Sequence, residues 1–403
     1  MADQNSTPAV DSESKSAGDV SPPPPLRSVH TNTFAQILDR QGLSVAVSTY
    51  QAGKLVFLRT ERRPQGPIVN THFRGFNKPM GFAWERGRFA LGTAAEIWEF
   101  HDIPAVARKL DTPETSSHHD AIFMPRNCHC TGDIQIHEML WVPRAKSGPG
   151  ESASDTSELW FINTRFSCLA VRSDMFSFIP RWQPPFITAL APEDRCHLNG
   201  MCLRDGQIRY VTALGATDKP GGWRDDKRAG GILMHYPSGE IMTRSLSMPH
   251  SPRWHNGQLW LLESGNGGFG IVDENTGKYT EICRLPGFTR GIDFVGPYAL
   301  IGLSQVRESA VFSGIAIAEI PQDQRFCGVW AVDTRTGQVV GFVKFMDAVQ
   351  EIFAVQALAG IRWPDVLNED SKRIAETYEL PDEALRKVPP ELRSLTRPMT
   401  TTH

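Results

Sequence analysis

The stretch HLNGMCLRDGQIRYVTA (197–213), followed after a long loop by GILMHYPSGEIMTRSL (231–246), decides the fold. It contains four short β-rich runs. Turn signals separate them, RDG at 204–206 and YPSG at 236–239. Side chains of period two mark strands, and Asp-Gly or Ser-Gly marks tight turns between them. The unit is a four-stranded meander. It recurs from His250 with LWLLE, GFGIVD and KYTEICR, and from Arg290 with YALIGL, CGVWAVD and QVVGFVKF. Two further units start near Lys78 and near His129. Repeated four-stranded units of this kind are the blades of a β-propeller.

The two ends of the array supply one more blade. EIFAVQAL (351–358) reads as an innermost strand with no successors, whereas SVAVST (44–49), KLVFLR (54–59) and PIVNTHF (67–73) read as three strands lacking an inner partner. Joined, they predict an all-β, six-bladed β-propeller over residues 29–364, its last blade closed by N-terminal strands plus a C-terminal inner strand. Such closure removes the exposed sheet edges that invite aggregation. Residues 1–28 are rich in Ser, Asp and Pro and are expected to form a disordered tail. Residues 365–403 read as a charged C-terminal tail with a short helix in DEALRKV.

Composition excludes some partners. With 40% hydrophobic and 22% charged residues among 403, the chain can bury a large core. A formal net charge of -3 gives no electrostatic footprint for nucleic acid. No apolar run approaches the ~18 residues that cross a bilayer, and the first residues lack the pattern of a secretion signal. No membrane association and a cytoplasmic location are therefore expected. The seven cysteines are scattered and read as reduced thiols, with Cys128 and Cys130 as small buried hydrophobes.

Propeller geometry converts sequence position into place. The face where inner strands begin is expected to gather the long loops 143–155, 215–231, 264–270 and 304–324 with the linker 173–196; the insertion 103–120 falls on the other face. Function concentrates where such loops gather. Aligning on the glycine of the inner strand brings together KPMGF (78–82), HCTGD (129–133), HLNGM (197–201), MPHSP (248–252), FTRGI (288–292) and EIFAV (351–355). Alternation sends the first and third residue of each quintet to the channel.

On that register His129, His197, His250 and Glu351 converge near the axis. Neutral imidazoles with a carboxylate suit a divalent Zn, Fe, Cu or Mn ion with an open coordination position. The alternative is a polar channel whose histidines bond to backbone or water. Asn199 is placed to orient water or substrate, and Arg290 with Lys78 to meet an anionic group. Trp223, Arg224, Lys227 and Arg228, in the loop 215–231, are candidate substrate contacts on a lid hinged at glycines. The adjacent His118 and His119 point apart and lie away from this mouth. SGNGGFG (264–270) lacks the strand-to-helix context of a phosphate loop and reads as a tight inter-strand turn. No GxSxG elbow is present. Two functions follow: a metal-dependent hydrolase or oxidoreductase acting on a small polar or anionic substrate, or a non-catalytic propeller binding a small ligand, peptide or protein.

The stretches FNKPMGFAW, NTRFSCLA, CHLNGM, MPHSPRWHNGQLWLLESGNGGFG, LPGFTRGIDF and CGVWAVDTRTGQVVGF resemble an uncharacterised bacterial family of conserved β-propeller-like proteins of unknown function, over most of residues 34–364. That resemblance implies no activity. More distantly, the architecture is similar to the gluconolactonase-type six-bladed propellers, which hold a divalent metal at the channel mouth with carboxylates and amides. Here histidine dominates instead. Histidine-lined iron resembles the carotenoid-cleaving propellers, which have seven blades and other motifs.

Overall fold

The computed structural model describes residues 26–111, 119–144, 157–306 and 313–393. Strand β1 (Ser28–His30) leads into helix α1 (Asn32–Gln41), whose N-terminus is capped by the Thr31 hydroxyl accepting from the Phe34 N–H. Gly42, at φ 66°, ends the helix in the left-handed region where glycine carries no Cβ penalty. Phe34, Ala35, Ile37 and Leu38 are buried on one face of α1. Strands β2 (Leu43–Ser48), β3 (Lys54–Arg63) and β4 (Gly66–Gly75) follow as consecutive antiparallel partners.

Blade one comprises β5 (Phe82–Glu85), β6 (Arg88–Gly92), β7 (Glu96–Asp102) and β8 (Ala121–Cys130), with helix α2 (Pro104–Leu110) in its insertion. Blade two is β9 (Ile136–Pro143), β10 (Ser157–Asn163), β11 (Cys168–Val171) and β12 (Ile179–Trp182). Blade three is β13 (Leu198–Arg204), β14 (Gln207–Ala213), β15 (Gly231–His235) and β16 (Ile241–Leu246). Blade four is β17 (Pro249–His255), β18 (Gln258–Glu263), β19 (Gly268–Val272) and β20 (Tyr279–Arg284). Blade five is β21 (Phe288–Val295), β22 (Tyr298–Ser304), β23 (Cys327–Asp333) and β24 (Val339–Phe345), with the short helix α3 (Ala316–Glu319) before β23. The chain then returns as β25 (Ala354–Ala359), which pairs antiparallel with β2 from Leu43↔Ala359 to Ser48↔Ala354. Blade six thus has the order β25-β2-β3-β4, as the unpaired strands at the two ends of the sequence predict.

Both chain ends add a strand at a blade's outer edge. β1 joins β24, and β26 (Pro364–Val366) runs parallel to β8. β1 includes Ser28, from the expected N-terminal tail, and β26 extends to Val366, two residues into the expected C-terminal tail. Asp365 clasps β26 to blade six, accepting from Arg74 Nε and Nη2 at 2.8 and 2.6 Å and facing His72 Nε2 at 2.7 Å. Burial raises its pKa, but the bonds from His72 and Arg74 outweigh burial and hold it well below the carboxylate range. Beyond lie helices α4 (Ser371–Glu376) and α5 (Asp382–Leu385), the latter within the DEALRKV stretch. Among the described residues no helix is long and apolar enough to cross a membrane.

The core lies between adjacent blades. α1 sits across the seam of blades five and six, its Phe34 and Leu38 packed with Val45, Val329 and Val343. Hydroxyls at the ends of second strands stitch such seams: Ser48 donates to Met80 O at 2.5 Å, Thr164 to Leu198 O at 2.6 Å and Ser304 to Ile352 O at 3.2 Å. Each crosses to the inner-strand region of the next blade. Near the axis the blades crowd: a Cβ on Gly81 would lie 2.0 Å from His137 O.

Candidate functional site

Inner strands start at the mouth, and the third residue of most quintets reaches the channel. Asn199, His250, Arg290 and Phe353 line one internal cavity of about 20 Å³ together with His137, Glu138 and Arg253. That volume holds about one water. His129 is not among them. It lies on β8, the fourth strand of blade one, with Nε2 at 2.8 Å from Ser177 O. Alignment on glycine fails in blade two because Gly132, at φ 72°, belongs to the turn between blades, and the inner strand begins only at Ile136. QIHEM (135–139) is the sixth quintet, with His137 at its third position. Backbone conformation supports this register: the first residues Lys78, Gln135, His197 and Met248 share φ of 49°, 50°, 50° and 47°. Four non-glycine residues at equivalent positions of this rare region mark a built-in bend at the strand entry. Cys128 and Cys130, expected to be buried, are exposed on β8 because that strand is the blade's outer part.

Three imidazoles surround the mouth in one tautomer. His137 Nδ1 lies 2.8 Å from Gln135 O and 2.7 Å from Thr164 Oγ1, and the Thr164 proton is committed to Leu198 O. A carbonyl only accepts, so Nδ1 carries the proton. His250 Nδ1 likewise faces Met248 O at 2.9 Å and Ser264 Oγ at 3.0 Å, and His197 Nδ1 faces both oxygens of Asp194 at 2.9 and 3.0 Å. Nε2 is therefore the nitrogen that each ring turns away from these acceptors. His137 Nε2 is buried and has no hydrogen-bond partner among the described residues. Burial, reinforced by the charge of Arg290, holds both His137 and His250 well below the ordinary histidine value. Both are neutral at pH 7. The rings of His137 and His197 meet edge to face at 4.9 Å, and His137 also contacts Phe353 at 4.9 Å.

Arg290 supplies the charge. Its guanidinium lies 3.5 Å over the Phe353 ring and makes no hydrogen bond or ion pair with a described residue. Burial pulls its pKa down to about 10, opposed by Glu351, Tyr50 and Glu138, so it remains a cation at neutral pH. Glu138 is committed elsewhere, to Arg253 at 2.7 Å. Glu351, partly buried just before β25, acts on Arg290 through its charge, raising the Arg290 pKa. Asn199 is tied on both sides of its amide, donating to Pro249 O at 3.0 Å and accepting from Thr212 at 2.7 Å; it links blades three and four. Lys78 is exposed at the entry to blade one.

The loop 215–231 is docked over this mouth. Trp223 is buried at 2% exposure, packs on His197 at 4.5 Å and donates its indole N–H to Asp194 Oδ2 at 2.9 Å. Arg224 reaches the same oxygen at 3.3 Å. Asp194 thus gathers three donors, and its position three residues before His197, in an irregular linker, gave no strand-based signal of this role. Lys227 and Arg228 are engaged with the segment before β23: Lys227 with Ser313 Oγ at 3.3 Å, Arg228 with Gly314 O and Glu319. In 264–270, a single helical turn at Ser264–Asn266 joins β18 to β19. His119 pairs with Asp111 at 2.7 Å, outside the mouth. The expected loop 143–155 joins the first two strands of blade two, the connection opposite the mouth; its residues 145–155, with His118 and residues 307–312 of loop 304–324, lie outside the described residues.

Fold and site together define a six-bladed β-propeller with a histidine- and arginine-lined channel mouth. The chain belongs to the family described as "Domain of unknown function (DUF4915)", whose model matches residues 32–367. A search of curated proteins finds no match. Among solved structures the chain is similar to a protein of unknown function from Bacteroides caccae, at 8% identity and a TM-score of 0.46, covering 79% of this chain and 99% of that one. It is also similar to a chain of a nidogen–laminin complex, at 10% identity and a TM-score of 0.45, covering 79% and 100%. A third similar structure is virginiamycin B lyase from Staphylococcus aureus, at 12% identity and a TM-score of 0.36, covering 80% and 99%.

Proposed function

We propose that the protein is an enzyme acting on a small anionic substrate at the channel mouth. One observation carries this reading: among the described residues the Arg290 guanidinium has no hydrogen-bonded or ion-paired partner, and it stands beside the neutral imidazoles of His137 and His250, which present unprotonated Nε2 atoms. A charge partly withdrawn from water without a partner is costly, and an anionic ligand offsets that cost. His197 is the candidate general base, since Asp194 fixes its orientation and its Nδ1 tautomer while Nε2 stays free to take a proton. Trp223 and Arg224 form the cap over the bound ligand, and exposed Lys78 adds positive charge at the rim. The test is turnover of a panel of small carboxylate and phosphate esters and acids followed by NMR. Arg290→Gln should raise KM at least tenfold and His197→Gln should lower kcat by about 10²-fold or more, the usual worth of a general base. Binding without turnover of any panel member would favour the non-catalytic propeller.

A second reading places a divalent zinc, iron, copper or manganese ion on Nε2 of His137, His197 and His250, aided by Glu351. It is favoured by the shared tautomer, because metal-bound imidazoles characteristically donate their other N–H to a carbonyl or carboxylate. Against it, no three His, Cys, Asp or Glu side chains among the described residues converge as a ligand set, and Arg290 repels a second cation. Elemental analysis after expression with these metals should find about one equivalent, lost in His250→Ala, if this reading holds; metal-free protein with full activity would sink it.

A further inference from the structure

The donors and acceptors at the mouth restrict the anion more narrowly than its charge does. We infer that the ligand held at Arg290 is a small carboxylate bearing a neutral hydrogen-bond donor, an O–H or amide N–H, on the carbon next to the carboxylate. The inference rests on the anionic-substrate reading above and goes further by naming the class.

Two features of the site lead to it. First, the flat face of the Arg290 guanidinium is covered by the Phe353 ring at 3.5 Å, so its N–H donors are left to act in their own plane. In-plane donors match the two oxygens of a carboxylate. Second, His137 and His250 line the same cavity as Arg290, and their Nδ1 protons are held by Gln135 O and Met248 O. Their Nε2 atoms can only accept. A tetrahedral oxyanion such as sulfate would turn acceptor oxygens toward these lone pairs, whereas a carboxylate with a neighbouring O–H or N–H offers them a donor. The buried, partnerless Nε2 of His137 is the acceptor that lacks one. A charged ammonium donor is disfavoured, because it would sit beside the Arg290 cation.

Glycolate, acetate and sulfate separate these features on the full chain. Ligand-observed NMR follows the first two directly, and sulfate is scored by displacement of glycolate. Glycolate should bind at least tenfold more tightly than acetate, the worth of about one buried hydrogen bond. Sulfate should displace it only at concentrations tenfold higher or more. Arg290→Gln should abolish binding, and a folded His137→Phe or His250→Phe variant should bring glycolate down to the level of acetate. The wild-type comparison needs no variant and stands if those do not fold. Acetate or sulfate binding as tightly as glycolate, with Arg290→Gln still abolishing binding, overturns the class and leaves the anion site. No binding of any of the three, or unchanged binding in Arg290→Gln, overturns the anion site itself.

Discussion

The two buried histidines of the mouth make a pH-dependent contribution whose sign is fixed by their environment. Burial and Arg290 hold His137 and His250 neutral well below 6.5, the value they regain when the chain unfolds. The unfolded chain therefore takes up protons below about pH 6.5 that the folded one refuses, so stability is full above that pH and falls as acidity increases. Each ring contributes up to about 1.4 kcal/mol per pH unit. Urea unfolding between pH 5 and 7.5 should show this loss, and His250→Gln should reduce its slope by about one proton. An unchanged slope would mean that His250 is protonated in the fold. At this scale most of the site is legible in sequence: Asn199, His250, Arg290 and Phe353 come from aligned quintets. His137 is concealed because Glu138 stands where other blades carry a small residue, and because Gly132 offers a false register six residues earlier.

At the scale of elements, strands were easier to read than the seams between them. Alternation and turn glycines locate a strand within one blade, whereas the hydroxyl bonds from Ser48, Thr164 and Ser304 join residues that only the closed ring brings together. Ser304→Ala removes the donor to Ile352 O and the acceptor for Ile352 N–H at 2.9 Å, and should cost about 1 to 3 kcal/mol in denaturant unfolding, since the main-chain groups stay buried. A change below 0.5 kcal/mol would show that water replaces the hydroxyl. The capping loop makes the opposite case. Its charges invite assignment as ligand contacts, yet Lys227 and Arg228 bind the neighbouring segment. The Arg228–Glu319 pair is exposed at 61% and 64%, so Arg228→Ala should shift stability by less than about 1 kcal/mol. A larger loss would make that contact a structural strut of the cap.

The whole molecule is a ring closed twice, by β25 on β2 and by the outer clasp of β26. The first closure is legible because each end of the sequence lacks what the other supplies. The clasp is not, since Pro364–Val366 is too short to carry a pattern and pairs with a strand some 240 residues away. Asp365→Asn leaves Arg74 and His72 facing an amide in a site only 6% exposed, and should lower stability by about 3 to 5 kcal/mol in denaturant unfolding. A loss under 1 kcal/mol would show that β26 is dispensable.

Crowding at the ring's axis leaves the Arg290 cation partly withdrawn from water, and the proposed function stands on its need for an anion. Crystals soaked in bromide and measured at its absorption edge would locate such an anion. An anomalous peak is expected in hydrogen-bonding contact with the Arg290 guanidinium inside the channel, absent from Arg290→Gln crystals. Bromide found at surface arginines and lysines but not beside Arg290 would contradict it.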